Sequence, residues 1–169
     1  NYGLNLSFQY LGFDFGIFFQ GIGKMDWAPA ANNVLFYGPY ARPYATLIPR
    51  DFHKMIWSED NPDAYLPRPR GYVGLGSNRE LTVPSDRYLQ DISYCRLKNV
   101  TFGYTIPKPL TDKIGVGPVR FYFSGENLHY WSPFKKHSKY IDPEMAKTNS
   151  TNRIYPWQRS FMFGIDLTF

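Results

Sequence analysis

Ser132 lies a few residues from His129 and His137, with Asp142 downstream, which are the side-chain types of a hydroxyl nucleophile, its general base and an orienting carboxylate. No strand–turn–helix pattern that would present a nucleophile surrounds Ser132, so the sequence does not favour hydrolysis. Asp14 and Glu126 are the carboxylates whose placement would suit an acid and base flanking a glycosidic bond, but both fall on the polar side of alternating segments, where lining a lumen is the simpler role. Gly71-Tyr-Val-Gly-Leu-Gly76 has the wrong spacing for a dinucleotide-binding turn. Asp60-Asn-Pro-Asp63 and Asp142-Pro-Glu144 offer oxygen ligands without a full calcium-loop pattern and read as turns. Asn99-Val-Thr101 and Asn149-Ser-Thr151 match a glycosylation sequon, the first inside a strand pattern. Cys95 is the single cysteine, and with His53, His129 and His137 scattered it completes no zinc spacing. The expectation is a protein with no catalytic residue, metal or cofactor.

Binding is better represented. Trp27, Tyr37, Tyr40, Trp57, Tyr65 and Trp131 stand in polar, loop-like sequence, where exposed rings would stack on sugar faces or pack against a partner protein. Packing of the loops on themselves is an equal alternative for each ring. Lys135, Lys136, His137 and Lys139, beside Trp131 and Phe134, form a basic cluster that reads first as a solvated loop and last as a nucleic-acid patch.

The elements that position these residues follow from periodicity. Tyr2, Leu4, Leu6, Phe8 and Tyr10 alternate with Gly3, Asn5, Ser7 and Gln9, and the pattern resumes after Leu11-Gly12 with Phe13, Phe15, Ile17 and Phe19. These runs predict a hairpin around a two-residue turn. Val100, Phe102, Tyr104 and Ile106 repeat the period, as do Val119, Phe121 and Phe123, and then Phe161, Phe163, Ile165, Leu167 and Phe169. Five strands are expected, over about 2–10, 13–22, 92–106, 118–131 and 158–169. Arg96 and Lys98 fall on the apolar parity of the third, so either a bulge shifts the register there or that end lies outside the apolar zone. Between the strands lie long loops at 24–90 and 132–156 and a shorter turn at 107–117; one short helix is expected from Asp51, its carboxylate capping residues 52–57.

The chain has 169 residues, 14 Phe, 14 Tyr and 4 Trp among them, a net charge of +5 and a pI near 9.2. The aromatic content is high and the charge decides little. Mean hydropathy is −0.41, and no apolar run approaches the roughly 18 residues of a membrane-spanning helix. Transmembrane strands escape that test, because their signal is alternation. The N-terminus shows no signal peptide, so the protein is either not exported or continues upstream of Asn1. An all-β fold with short turns at one end and long loops at the other, a polar face rich in Gly and aromatics at the ends of the apolar runs fits part of a large antiparallel transmembrane β-barrel. The alternative is a soluble β-sandwich carbohydrate-binding module. Five strands cannot close a barrel, so the edges must pair with strands elsewhere.

Tyr94-Cys-Arg-Leu-Lys-Asn-Val-Thr-Phe-Gly-Tyr-Thr-Ile-Pro107, Val119-Arg-Phe-Tyr-Phe-Ser-Gly-Glu-Asn-Leu128, Tyr140-Ile-Asp-Pro-Glu144 and Tyr155–Phe169 closely resemble the C-terminal part of SusC/RagA-type TonB-dependent transporters. Residues 24–90 resemble the family loosely, through Trp57, Asn61-Pro62 and Ser85-Asp86-Arg87-Tyr88, and Cys95 departs from an expected aliphatic residue. The resemblance implies an outer-membrane importer of oligosaccharide or peptide, with a barrel of about 22 strands. It also implies a SusD-like lipoprotein as lid, a plug in the remainder of the same barrel, and TonB as the energy source through the missing N-terminal part. In that setting the six loop rings become ligand or lid contacts, and the lysines face outer-membrane lipid and lipopolysaccharide phosphate rather than nucleic acid. Phe161, Phe163, Ile165, Leu167 and Phe169 then correspond to an aromatic-ended assembly signal.

Overall fold

The computed structural model describes residues 1–42, 48–70, 81, 83–148, 155 and 157–168. In chain order its strands are β1 (Tyr2–Tyr10), β2 (Phe13–Ile22), β3 (Asp26–Trp27), β4 (Gln90–Asp91), β5 (Tyr94–Thr105), β6 (Val119–Trp131) and β7 (Ser160–Leu167). The chain divides into two compact units, one of residues 1–23, 93–132 and 157–169 and one of residues 24–92 and 133–156.

The first unit is an open antiparallel sheet in the order β1-β2-β5-β6-β7, with β1 and β7 at its edges. Leu11 and Gly12 both take positive φ, 48° and 86°, the backbone of a tight hairpin turn whose twist matches that of the strands. The register aligns Leu6, Ile17, Val100, Gly125 and Phe161 in one row, Phe8, Phe15, Phe102, Phe123 and Phe163 in the next, and Tyr10, Phe13, Tyr104, Phe121 and Ile165 after it. These residues share a face, and most of its rings stay exposed, Phe8 at 61% and Phe163 at 81%, while Ile17, Val100, Tyr104 and Phe123 are half-buried by their neighbours in the rows. A sandwich would cover such a face.

Of the two readings for Arg96 and Lys98, the structure has the bulge. Phe18 pairs with Asn99 and Phe19 with Leu97, so Lys98 is the extra residue of β5. Because side chains alternate with period two, one inserted residue returns Cys95 and Leu97 to the apolar face and sends Arg96 to the polar one. On β6 the same irregularity takes up Asn127, at φ 52°, and Leu128, which leaves the parity of His129 and Trp131 unchanged. The turn expected at 107–117 between β5 and β6 is filled by α1 (Lys108–Thr111) and a 3₁₀ turn at Asp112–Ile114, ended by Gly115 at φ 68°.

The second unit has its own core. Trp27, Phe36, Tyr37, Tyr40, Phe52, Leu66, Tyr88, Ile92, Phe134 and Ile141 are buried together. Its regular pieces are short: β3 paired with β4, α2 (Val34–Tyr37) capped by the Asn33 carboxamide, and α3 (Pro143–Ala146) capped by Asp142. The stretches read as long loops therefore fold into one packed body. The helix expected from Asp51 is a 3₁₀ turn over Phe52–Met55, and Asp51 does not cap it, because its carboxylate is taken by Lys139 and the Tyr140 hydroxyl.

Candidate functional site

On the polar face of the sheet, Arg120 of β6 reaches across β5 to Asp14 of β2, donating through Nε at 2.9 Å and Nη2 at 2.7 Å, and through Nη1 to Asp166 of β7 at 3.1 Å. Gly103 stands between, and a Cβ there would meet the Asp14 carboxylate and lie 2.7 Å from Arg120 Nη2, so a side chain would break the pair. Arg96, buried on the same face, lies beneath the rings of Tyr94 and Tyr130, its guanidinium 5.8 and 5.0 Å from their centroids. The sequence marked Arg96 only as a question of register and gave neither arginine a role on the polar face. Their signal was positional: Arg120 and Asp166 face each other once β6 and β7 are in register.

The carboxylates weighed as an acid–base pair are placed apart. Asp14 shares a row with Tyr122, and Glu126, further along β6, pairs with Ser160 and Asn99. The groups considered for a triad each have other partners: Ser132 Oγ donates to the Ser93 carbonyl at 2.6 Å, His129 packs edge-on to Trp131, His137 stacks on Tyr65 at 4.0 Å, and Asp142 accepts from the Glu144 amide. Among the described residues no three His, Cys, Asp or Glu groups converge as metal ligands. Gly71–Gly76 and Asn149 lie outside the described residues.

The six rings expected to be exposed divide. Trp27, at 8% exposure, packs edge-on to Phe36 and Phe134, and Tyr37 and Tyr40 are at 3%. For these three exposure is corrected: they are core, and burial raises both tyrosine hydroxyl pKa values well above the ordinary range. Tyr40 donates to the Pro67 carbonyl. Trp57 is half-buried with the Arg68 guanidinium 6.0 Å from its ring, and Trp131, on β6, is 52% exposed.

Tyr65 is the most engaged of the six. One edge is held by Arg87, whose Nε and Nη2 donate to the Tyr65 and Ala64 carbonyls at 2.9 and 2.8 Å. Its hydroxyl donates to the Arg87 carbonyl at 2.6 Å and accepts from Gln90 Nε2 at 2.7 Å, and the His137 ring covers one face. Burial raises the Tyr65 pKa, and burial and the nearby Lys136 charge lower that of His137. Tyr65 and His137 come from the two separate stretches of this unit, which their stacking joins.

Phe161, Phe163, Ile165 and Leu167 stand exposed on β7; Phe169 lies outside the described residues.

No family model matches the chain. It is similar to two TonB-dependent receptors of Formosa agariphila, P3 at 30% identity over 184 residues and P26 at 29% over 182, each alignment covering 99% of this chain. The chain spans 16% and 17% of the length of those relatives. Among solved structures it is similar to the RagAB peptide importer in its open-open state, with a TM-score of 0.63 and 21% identity over 99% of this chain and 17% of that one. A second structure, of the RagAB peptide transporter, matches with the same TM-score at 20% identity. The likeness in fold is to a segment of barrel wall, which accounts for an antiparallel sheet that does not close on itself.

Proposed function

We propose, from the premise that this chain is a barrel segment of a SusC/RagA-like TonB-dependent receptor, that the whole protein imports oligosaccharide or peptide across the outer membrane. The observation that carries this is the similarity to receptor P3 along 99% of the chain. The sheet is consistent with it: lipid covers the aromatic face, lipopolysaccharide acyl chains included, while Arg96, Arg120, Asp14 and Glu126 face the lumen and plug. Unpaired backbone at the outer edges of β1 and β7 would be costly in lipid, so the rest of the same barrel supplies their partners. The loops at 24–90 and 132–156 face outward, where Trp57, Tyr65 and Trp131 meet ligand or a SusD-like lipoprotein lid, and TonB acts through a part of the protein outside these residues. Phe161, Phe163, Ile165, Leu167 and Phe169 serve as the assembly signal. The sandwich reading loses ground to the exposure of Phe8, Phe163 and their row.

Uptake and topology are tested together in intact cells. Cysteines replacing Lys54 or Lys136 should react with an impermeant maleimide from outside and one replacing Lys113 should not. Accumulation of labelled oligosaccharide or peptide pools should fall to background when TonB is depleted. Labelling confined to residue 113, or uptake independent of TonB, would overturn the proposal.

A further inference from the structure

In the second unit a cavity of about 300 Å³, at the small end of ligand-sized pockets, opens between the 3₁₀ turn at Phe52–Met55 and the basic loop. Among the described residues, four lysines line it, Lys54, Lys135, Lys136 and Lys139, against a single carboxylate, Asp51. Asp51 is engaged by Lys139 and by the Tyr140 hydroxyl at 3.1 Å, whereas Lys54 and Lys136 bring their charges to the cavity from exposed positions. His137 also lines the wall, its basicity lowered by burial and by Lys136.

Ser138 supplies an independent observation. It lines the same cavity at 4% exposure, its backbone amide donates to the Phe134 carbonyl at 3.0 Å, and its Oγ has no hydrogen-bond partner among the described residues. A buried hydroxyl without a partner is unfavourable, and such groups in native proteins call for an explanation. Here the hydroxyl borders a cavity whose charge attracts an anion.

We propose that this pocket binds a tetrahedral oxyanion, a phosphate or sulfate group, with Ser138 Oγ donating to one oxygen and Lys54 and Lys136 neutralising its charge. Lysine ammoniums act as point charges that approach an ion from several directions, which suits a tetrahedral anion. Among the described residues no arginine lines the cavity to offer the planar fork that favours a carboxylate. The site needs only this chain's residues, and its occupancy is measured without uptake, so it stands or falls separately from the import proposal.

The test is isothermal titration of the full-length receptor in detergent with inorganic phosphate and, separately, inorganic sulfate. Saturable binding is expected, weakened by about tenfold in Ser138→Ala, the loss of one hydrogen bond to a charged group, and restored in Ser138→Thr. Lys54→Gln combined with Lys136→Gln, both at exposed positions, should weaken it at least as much. Lys147→Gln, which removes one charge outside the cavity, should leave affinity within about twofold. Absence of saturable binding, or an equal loss in Lys147→Gln, would overturn the site. Should Ser138→Ala impair folding, the lysine pair carries the test. Competition with lipopolysaccharide micelles locates the source of the anion: displacement by native but not dephosphorylated micelles assigns a lipid phosphate, and displacement by neither assigns a soluble ion or ester.

Discussion

Arg120 is held from both sides, but its two carboxylates are not equivalent. The Asp14 side chain is 24% exposed and takes two of the guanidinium's hydrogen bonds, whereas that of Asp166 is 59% exposed and takes one. Double-mutant cycles read from denaturation midpoints should give about 1 kcal/mol of coupling for Arg120 with Asp14 and less than about 0.5 kcal/mol for Arg120 with Asp166. A second residue-scale expectation concerns pH. His137 has its pKa lowered in the folded protein, so the unfolded chain takes up the proton first, and stability is lost as pH falls through the unfolded value of about 6.5 toward the lower folded one. Tryptophan fluorescence melts of the wild type should show a lower transition at pH 5.5 than at pH 7.5, and His137→Gln should flatten that difference. Side-chain roles were the least legible part of the sequence. Trp27 and Trp57 look alike in a string of letters, yet one is core and the other half-exposed, because burial depends on partners such as Phe134 that arrive from far along the chain.

At the scale of elements, the strands were readable because a half-buried sheet imposes period two on every residue it contains. β1 and β2 (Tyr2–Tyr10 and Phe13–Ile22) and their positive-φ turn at Leu11-Gly12 followed directly, and β7 is shorter than its pattern, ending at Leu167. In β5 periodicity raised two possibilities around Lys98 without choosing, since an inserted residue and the end of the apolar zone leave the same trace in one strand; pairing with β2 decides. This bulge yields a prediction. Deleting Lys98 removes only the extra residue and joins Leu97 to Asn99, so Cys95 and Leu97 keep the apolar face and Arg96 the polar one in a ladder without the bulge. The deletion should leave the amount of heat-modifiable barrel recovered from outer membranes near the parental level, whereas deleting Leu97 and Lys98 together, which puts Arg96 next to Asn99 and so on the apolar face, should sharply lower it.

The molecule as a whole combines two ways of becoming ordered. The sheet unit exposes its apolar rows, and the loop unit buries its own, around Phe36, Phe134, Leu66 and Ile141 at 2% exposure or less. The sequence raised packing within the loops for Trp27, Tyr37 and Tyr40 only as one of two equal alternatives, because the pieces of that core are two to four residues long and carry no period. Phe134→Ala should cost the loop unit about 3–5 kcal/mol and make residues 24–92 sensitive to limited proteolysis, while the barrel keeps its heat-modifiable migration. The arrangement also dictates an order of events. The halves of that core, residues 24–92 and 133–156, lie on either side of β5 and β6 in the chain, so whatever is synthesised first must wait for the other. Joining Trp27 to Phe134 through an unstructured intervening segment would carry the closure entropy of a long loop; once β2 has zipped to β5 and β5 to β6, with Ile22 opposite Tyr94 and Cys95 opposite Trp131, the path between them is shortened to a few residues at each end. The β2–β5–β6 ladder is thus the clock of the loop unit: any substitution that slows its pairing delays the burial of Trp27, even though that residue belongs to none of the three strands.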